Sequence, residues 1–257
     1  ISLTDLKSAL RDDTILVSVI HVNNEIGTIQ PIEEIGELLS SYPKTVFHVD
    51  HVQGASKVPL AIKKAKVDLC TLSAHKLHGL KGTGVLTVRK GVTLAPLFSG
   101  GGQERNLRSG TENVPGIVAM AKAIRLSYER LSETKRLSAL RDDTIEELSN
   151  MSGIHVNTPK VHAAPHIVNF SVKGIKPEAL IHSLSEQDIY VSTKSACSSK
   201  NNDASAVILA IGGSEERAKT AIRLSFSFAR TEEELTILID VLKKTLEKEY
   251  LYPSMFR

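Results

Sequence analysis

Short apolar runs rich in β-branched residues alternate with amphipathic stretches through the first half of the chain. The runs cover residues 14–22, 45–49, 67–72 and 84–89, and residues 31–39 have apolar positions at helical spacing. Buried strands and amphipathic helices have these two periodicities. Strands that alternate with helices along a chain pair mostly in parallel. The sequence therefore predicts an α/β fold with a mostly parallel sheet.

The pattern changes beyond residue 114. A long, highly charged helical stretch is expected to break near Ser132. Helices are predicted at 115–148, 180–186, 204–211 and 231–249, and strands at 164–172, 188–192 and 221–226. We therefore predict two domains, a large one over residues 1–132 and a smaller α+β one over residues 133–257.

Composition excludes several classes of protein. A formal net charge of +3 over 257 residues, with 4% aromatic residues and no Trp, argues against nucleic acid or an anionic membrane as a partner. No apolar run reaches the roughly 20 residues that span a bilayer. The nine histidines match no metal-ligand spacing, so no metal is expected. Two cysteines favour a reducing compartment, and the cytoplasm is the default.

Two residues that follow apolar runs are candidates for chemistry. Lys76 comes soon after the run at 67–72, and Asp50 directly follows the run at 45–49. Open α/β sheets bind ligands at the carboxyl ends of their strands, where burial lowers the pKa of a lysine and favours a nucleophile. A carboxylate there can keep a pyridine nitrogen protonated. Taken singly, a surface lysine and a capping aspartate are the commoner interpretations, but the pair is more informative.

Two polar segments are further candidates. Residues 99–111 are rich in Gly and Ser, so their N–H groups could wrap a phosphate, although a flexible hinge has the same composition. Cys197 lies between Lys194 and Lys200 in a polar stretch, which favours a nucleophilic thiolate over an ordinary surface thiol only modestly. Cys70 lies inside an apolar run and is expected to be a core residue.

Seven short motifs occur in the order found in one known family, over almost the entire chain. They are His21-Val-Asn-Asn-Glu-Ile-Gly27, His48-Val-Asp50 with Gln53, Ser73-Ala-His-Lys76, Gly100-Gly-Gly-Gln-Glu-Arg105, Arg108-Ser-Gly-Thr111, Ser195-Ala-Cys197 and Ile222-Arg-Leu-Ser225. Each motif is weak alone. Together they resemble the NifS/IscS-type cysteine desulfurases, class-V aminotransferases of fold type I that use pyridoxal 5'-phosphate (PLP). The resemblance implies a PLP-binding large domain followed by a small domain with the catalytic cysteine.

The resemblance also implies contacts to the cofactor ring. Lys76 would attach PLP covalently and move the substrate proton. Asp50 would pair with the pyridinium nitrogen, and Gln53 with the phenolic oxygen of the ring. Asn24 would contact the bound substrate and cofactor near the same oxygen.

The remaining matching residues would bind the phosphate and the substrate. Ser73 and His75 would hold the phosphate, joined by Thr111 across a homodimer interface, and His75 also counts among the catalytic residues with the lysine. Arg223 would hold the substrate carboxylate bidentately, a geometry that lysine cannot copy. Cys197 would take sulfur from the substrate and keep it as a persulfide.

The implied function is conversion of L-cysteine to L-alanine, with the sulfur passed to an acceptor protein for iron–sulfur cluster or thio-cofactor assembly. Within enzymes, the alternative is a PLP lyase that acts on selenocysteine. The alternative outside the enzymes is a non-catalytic fragment or scaffold that only binds partners.

The sequence departs from the family in three ways. His51 follows Asp50 where the family has a small residue, which would crowd or tune the ring, and Ala74 and Leu80 replace a glycine and a proline. The chain opens at Ile1 on a helix-like segment, which favours a fragment or a processed chain. Family members have more chain before this point, including a phosphate-binding threonine loop and a histidine that stacks on PLP. A separate N-terminal segment is therefore a further expected partner.

Overall fold

The structure is a computed structural model that describes residues 1–193 and 204–251. The chain divides into two compact units. The first consists of Ile1–Val22 and Gln30–Leu131, and the second of Asn23–Ile29 and Ser132–Arg257. Across the described residues, no helix combines the length and the apolar character needed to cross a bilayer.

A four-stranded sheet organises the first unit. Its strands are β1 (Leu16–Ile20), β2 (Val46–Asp50), β3 (Leu69–Ser73) and β4 (Gly84–Val88), and its helices are α1 (Leu3–Ala9), α2 (Ile32–Leu39), the short α3 (Gln103–Asn106) and α4 (Val114–Glu129). The strands lie side by side in sequence order. β1, β2 and β3 are parallel, whereas β4 runs antiparallel to β3. The prediction of a mostly parallel sheet is therefore confirmed.

The main apolar core of this unit joins α2 to the sheet. Ile35 of α2 is fully buried and packs in one cluster with Phe47 and Val49 of β2. Apolar side chains three and four residues apart lie on one helical face, so α2 can bury this face against the strands. Cys70 belongs to the same cluster, and burial raises the pKa of its thiol to about 11. It is therefore a core residue and not a reactive thiolate.

The described residues of the other unit form a second four-stranded sheet and five helices. The strands are β5 (Ile154–Val156), β6 (Ile167–Val172), β7 (Ser192–Thr193) and β8 (Ala221–Ser225), and the helices are α5 (Thr134–Ser149), α6 (Pro177–Ser185), α7 (Ala206–Ala210), α8 (Glu215–Lys219) and α9 (Glu232–Leu251). The strand order is β5-β6-β8-β7, with antiparallel pairing throughout. The predicted helix break near Ser132 is confirmed, because a 3-10 turn separates α4 from α5.

Strand β6 carries two kinds of residue on its two faces. Val168, Phe170 and Val172 are buried in the main core cluster of this unit. The residues between them, Asn169 and Ser171, are equally buried but polar. Successive side chains of a strand point to opposite sides of the sheet, so one face of β6 is apolar and the other carries buried hydrogen-bonding groups.

The predicted strand at 188–192 is wrong for most of its length, because only Ser192 of these residues belongs to a strand. Asp188 has φ +57°, and its N–H donates to the Ser185 carbonyl at the end of α6. The N–H of Ile189 donates to Leu184 in the same turn. These local hydrogen bonds end the helix and delay the strand, which a run of apolar residues does not reveal.

Residues 23–29 belong to the second unit, although the residues on either side of them belong to the first. Hydrogen bonds explain the assignment: Ala164 N–H donates to the Gly27 carbonyl at 2.8 Å, and Ile29 N–H donates to His162 at 2.7 Å. The predicted domains, 1–132 and 133–257, place this segment in the first domain with its neighbours in sequence. Its partners lie more than 130 residues away in sequence, where periodicity carries no signal.

Two buried histidines fill the space where β1 and β2 end. His21 N–H donates to the Asp50 carbonyl, and His51 N–H donates to the Thr71 carbonyl. The two rings stack with centroids 4.9 Å apart and place their Nδ1 atoms 2.8 Å apart. One Nδ1 must donate and the other accept, so the neutral rings have different tautomers. Burial lowers the pKa of His21 to about 4 and that of His51 to about 3, which keeps the pair neutral near pH 7.

Gly54 closes the turn against this pair. A Cβ atom at Gly54 would lie 2.6 Å from Nδ1 of His51 and 3.1 Å from Nδ1 of His21. The turn is held from the other side by Ala55, whose N–H donates to the His51 carbonyl at 2.9 Å. A larger residue would therefore displace a ring that has no free space to occupy.

We predict that Gly54→Ala lowers the free energy of unfolding by about 1–3 kcal/mol, the usual effect of an extra methyl in a packed interior. Urea denaturation measures the change. His51→Ala is the matched background, because it removes the ring that the new methyl would contact. The Gly54 substitution should destabilise the His51→Ala protein much less, and an equal loss in both backgrounds would contradict this packing account.

We also predict that the free energy of unfolding falls as the pH is lowered from about 6.5 towards 4. The folded state holds both imidazoles neutral, whereas the unfolded chain takes up protons near the ordinary histidine pKa, so protons favour unfolding. His51→Ala should reduce the slope by about 1.4 kcal/mol per pH unit within this window. His182→Ala, which removes an exposed histidine, is the control. Equal slopes in the wild type and His51→Ala would refute the linkage.

Candidate active site

The carboxyl ends of three parallel strands bring four of the predicted residues to one edge of the first sheet. Asp50 is the last residue of β2 and lies in register between Ile20 of β1 and Thr71 of β3. Ser73 ends β3, and a 3-10 turn over Ala74–Leu77 follows at once. This turn carries His75 and Lys76. Parallel strands place their carboxyl ends together, so the sequence-based prediction of a shared edge agrees with the geometry.

The Asp50 carboxylate has one oxygen engaged and one available. Oδ1 accepts a hydrogen bond from Val52 N–H at 2.9 Å, which orients the half-buried carboxyl group. Among residues 1–193 and 204–251, no hydrogen bond to Oδ2 is found. Gln53 is half-buried in the turn that follows. An oriented carboxylate with a free oxygen suits a protonated ring nitrogen, so this part of the site fits PLP.

The turn after β3 fixes the backbone on either side of Lys76. Ala74 and Leu77 are buried, whereas His75 is exposed and Lys76 half-buried. Ala74 N–H donates to Thr83, and the Ala74 carbonyl accepts from Gly79, so both ends of the turn are tied to the loop that follows. These bonds fix the backbone of the turn, so Lys76 is held immediately after the carboxyl end of β3.

Lys57 is a further candidate for a functional residue, and the sequence pattern did not reveal it. Burial lowers its pKa to about 8, and the positive charge of Lys76 contributes to the lowering. A second amino group therefore lies within electrostatic reach of Lys76. In the sequence, Lys57 stands in a short polar turn after Gln53 and looks like any surface lysine.

Thr111 is not part of the strand-end group. Thr111 is exposed and lies between α3 and α4, where Ser109 Oγ donates to the Phe98 carbonyl and Gln103 accepts from Gly110 N–H. The contact of Thr111 with a phosphate therefore stays a prediction. Cys197 lies outside the described residues, and its role also stays a prediction.

Arg223 and Asn24 meet within the second unit. Arg223 lies on β8 in register between Asn169 of β6 and Ser192 of β7. Its Nη1 donates to the Asn24 carbonyl at 2.6 Å. Its buried Nε has no acceptor among the described residues. Burial lowers the pKa of Arg223 while the charge of Glu25 raises it, and a guanidinium stays protonated in either case.

An unpaired donor on a buried cation suits a carboxylate ligand. Leaving a buried donor unsatisfied costs about 1–3 kcal/mol, which a bound carboxylate would offset. The bond to Asn24 also limits rotation of the guanidinium plane. Arg223 therefore has the charge and the free donor that recognition of an amino-acid carboxylate requires.

No cluster of three or more His, Cys, Asp or Glu side chains suited to a metal ion occurs in the described part of the chain. The strand-end group itself offers one amino group, one oriented carboxylate and neighbouring polar side chains. This is the donor set of an organic cofactor that is held through a lysine.

Comparison with known proteins identifies the family. Residues 1–238 match the family described as Aminotransferase class-V. The chain is 47% identical over 233 residues to the NifS/IcsS protein homolog of Lactobacillus delbrueckii subsp. bulgaricus, covering 90% of this chain and 60% of that protein. It is 43% identical over 246 residues to the Cysteine desulfurase IscS of Dictyoglomus turgidum, covering 95% and 62% respectively. A solved structure of a NifS-like protein has a TM-score of 0.88 and 39% identity, covering 96% of this chain and 65% of that one.

The chain thus spans about three fifths of the length of these two curated relatives. The likeness extends over nearly all of this chain in both sequence and fold, which confirms the resemblance inferred from the seven motifs and the fold-type-I architecture. The chain belongs to the class-V aminotransferase family.

Proposed function

We propose that this chain carries out cysteine desulfurase chemistry, converting L-cysteine to L-alanine and moving the sulfur to Cys197. The observation that carries the proposal is the placement of Lys76 and Asp50 at one edge of a parallel sheet. A relative that is 43% identical and named for this activity supports the choice of reaction. The sheet edge alone would suit many PLP enzymes, so the substrate class depends on Arg223, Cys197 and the relatives.

When bound, PLP supplies an electron sink that stabilises negative charge on the substrate carbon. Lys76 would hold the cofactor covalently and then move a proton to or from that carbon. The free Oδ2 of Asp50 would face the ring nitrogen and keep it protonated. Gln53 and Asn24 would contact the ring oxygen.

Three further side chains would bind the phosphate. Ser73 and His75 stand on either side of the buried Ala74, immediately before Lys76, so they are attached to the same rigid turn. Thr111 would contribute from a second copy of the chain. The homodimer that this requires is supported by large apolar side chains left exposed in the first unit, namely Leu97 (88% exposed), Phe98 (59%) and Val118 (63%).

Arg223 would bind the substrate carboxylate bidentately, through N–H donors that its bond to Asn24 leaves free. The Cys197 thiolate would then attack the substrate sulfur. The carbon–sulfur bond would break, its electron pair would remain on carbon, and a proton taken up there would give alanine. Cys197 would be left as a persulfide, from which an acceptor protein, such as an iron–sulfur scaffold, would take the sulfur. We place this reaction in the cytoplasm.

We predict that the purified chain binds added PLP and turns yellow, and that borohydride then fixes the cofactor on the peptide that contains Lys76. Lys76→Ala should abolish the covalent adduct on this peptide, because Lys76 is the lysine that the turn after β3 carries. Lys81→Ala removes an exposed lysine from the next few residues and is the control. Absorbance and peptide mass spectrometry report the result.

A folded wild-type chain that stays colourless with excess PLP would reject the proposal and favour the non-catalytic fragment or scaffold. If PLP binds, kcat/KM values for cysteine and selenocysteine separate the desulfurase from the selenocysteine lyase. A strong preference for selenocysteine would favour the lyase.

A further inference from the structure

The seven-residue turn over residues 23–29 has an internal framework of its own. The Asn23 side chain Oδ1 accepts from the N–H groups of Glu25 and Ile26, both at 2.9 Å. Gly27 has φ +79°, and its N–H donates to the Asn23 carbonyl at 3.0 Å. Ile26 is buried in an apolar cluster with Ile208. The turn therefore has a defined shape and an apolar anchor that does not depend on the charge of Glu25.

Two residues that face each other on neighbouring strands of the second sheet donate hydrogen bonds to consecutive carbonyl groups of this turn. Asn169 on β6 and Arg223 on β8 are direct cross-strand partners. Arg223 Nη1 donates to the Asn24 carbonyl at 2.6 Å, and Asn169 Nδ2 donates to the Glu25 carbonyl at 3.2 Å. The orientation of the guanidinium is therefore linked to the position of the Asn24–Glu25 peptide.

The Glu25 side chain ties the same turn to the start of α7. Its Oε2 accepts from Ser205 Oγ at 2.6 Å, and Ser205 is 2% exposed. Ser205 also caps α7, because its Oγ accepts from Ile208 N–H, and its own N–H donates to the Ala218 carbonyl. A hydrogen bond to a carboxylate is stronger than one between neutral groups, so this contact is a firm support for the turn.

We propose that Glu25 is a positioning residue that, through its hydrogen bond from Ser205, holds the Asn24 carbonyl in place and so orients Arg223 for the substrate carboxylate. The inference rests on the proposed function, since it takes Arg223 as the carboxylate-binding residue. Glu25 itself does not contact the substrate. It acts through the backbone of Asn24.

The charge of Glu25 opposes this effect. A negative charge near Arg223 weakens the attraction of the guanidinium for a second carboxylate, so removing the charge alone would tighten ligand binding. Removing the hydrogen bond would release the turn and weaken binding. The two contributions have opposite signs, and variants that change one without the other distinguish them.

The test compares four variants by the dissociation constant of L-alanine, the proposed product, which binds through its carboxylate without sulfur chemistry. Ser205→Ala should weaken binding about fivefold relative to the wild type, and Glu25→Ala about fivefold relative to Glu25→Gln, the effect of one lost hydrogen bond. The double variant should be no weaker than either single one, because both remove the same contact. Glu25→Gln keeps an acceptor for Ser205 and should bind at least as tightly as the wild type.

Ser214→Ala is the matched control for loss of a helix cap. Ser214 caps α8 as Ser205 caps α7, by accepting from Arg217 N–H at 3.3 Å, but it does not contact Glu25. It should leave the dissociation constant unchanged even though it costs about 1 kcal/mol of stability. Binding in Ser205→Ala that equals binding in Ser214→Ala would overturn the proposal. Glu25→Gln as weak as Glu25→Ala would also overturn it, because charge and not the hydrogen bond would then matter.

Hydrogen exchange of the peptide that covers residues 23–29 provides a readout without ligand. The N–H groups of Glu25, Ile26 and Gly27 should exchange faster in Glu25→Ala and Ser205→Ala, and at the wild-type rate in Glu25→Gln and Ser214→Ala. Unchanged exchange in Ser205→Ala would refute the support of the turn. A wild-type chain that binds no L-alanine but shows this pattern would reject the proposed function while leaving the role of Glu25 in the turn intact.

Discussion

Parallel pairing of β1, β2 and β3 is the constraint on which the candidate site depends. Parallel strands must all end at the same edge, so the residues that follow them become neighbours although more than 20 positions separate them in sequence. Asp50 and the turn with Lys76 meet for this reason alone. The antiparallel strand β4 then leads the chain back from that edge, with Gly84 opposite Ser73.

The second unit meets a different constraint, the burial of a permanent cation. Arg223 is 8% exposed, and its guanidinium cannot lose its proton to avoid the penalty of burial. The turn at residues 23–29 provides the Asn24 carbonyl as an acceptor and the negative charge of Glu25 nearby. The buried Nε still lacks an acceptor among the described residues, and a carboxylate ligand could provide one. The family resemblance proposes this same residue for carboxylate binding.

The features that local sequence determines were predictable. Runs of β-branched residues located the strands at 16–20, 46–50 and 69–73 within a few positions, and the charged stretch at 115–148 correctly predicted a break near Ser132. The placement of Asp50 and Lys76 at the sheet edge was predictable, because strand ends can be recognised from the apolar runs before them. The prediction of a strand at 188–192 was wrong because Asp188 adopts a left-handed conformation after α6. Hydropathy carries no information about this conformation.

Non-local features were not predictable from the pattern. The stacking of His21 on His51, the influence of Lys76 on Lys57 and the bond from Ser205 to Glu25 each join residues that have no shared periodicity. His51 was expected to affect the cofactor ring because it departs from the family. The structure shows that its imidazole is engaged with His21, which gives it a packing role in this chain.

The central claim is that Cys197 receives sulfur from cysteine bound at the site of Lys76. The most direct measurement is mass spectrometry of the peptide containing Cys197 after a single turnover of the PLP-loaded chain with L-cysteine, with free thiols alkylated at once. Our account predicts one additional sulfur atom on Cys197 and an equal amount of alanine. Alanine formed without sulfur on Cys197, or no alanine from a folded chain with PLP bound, would contradict it.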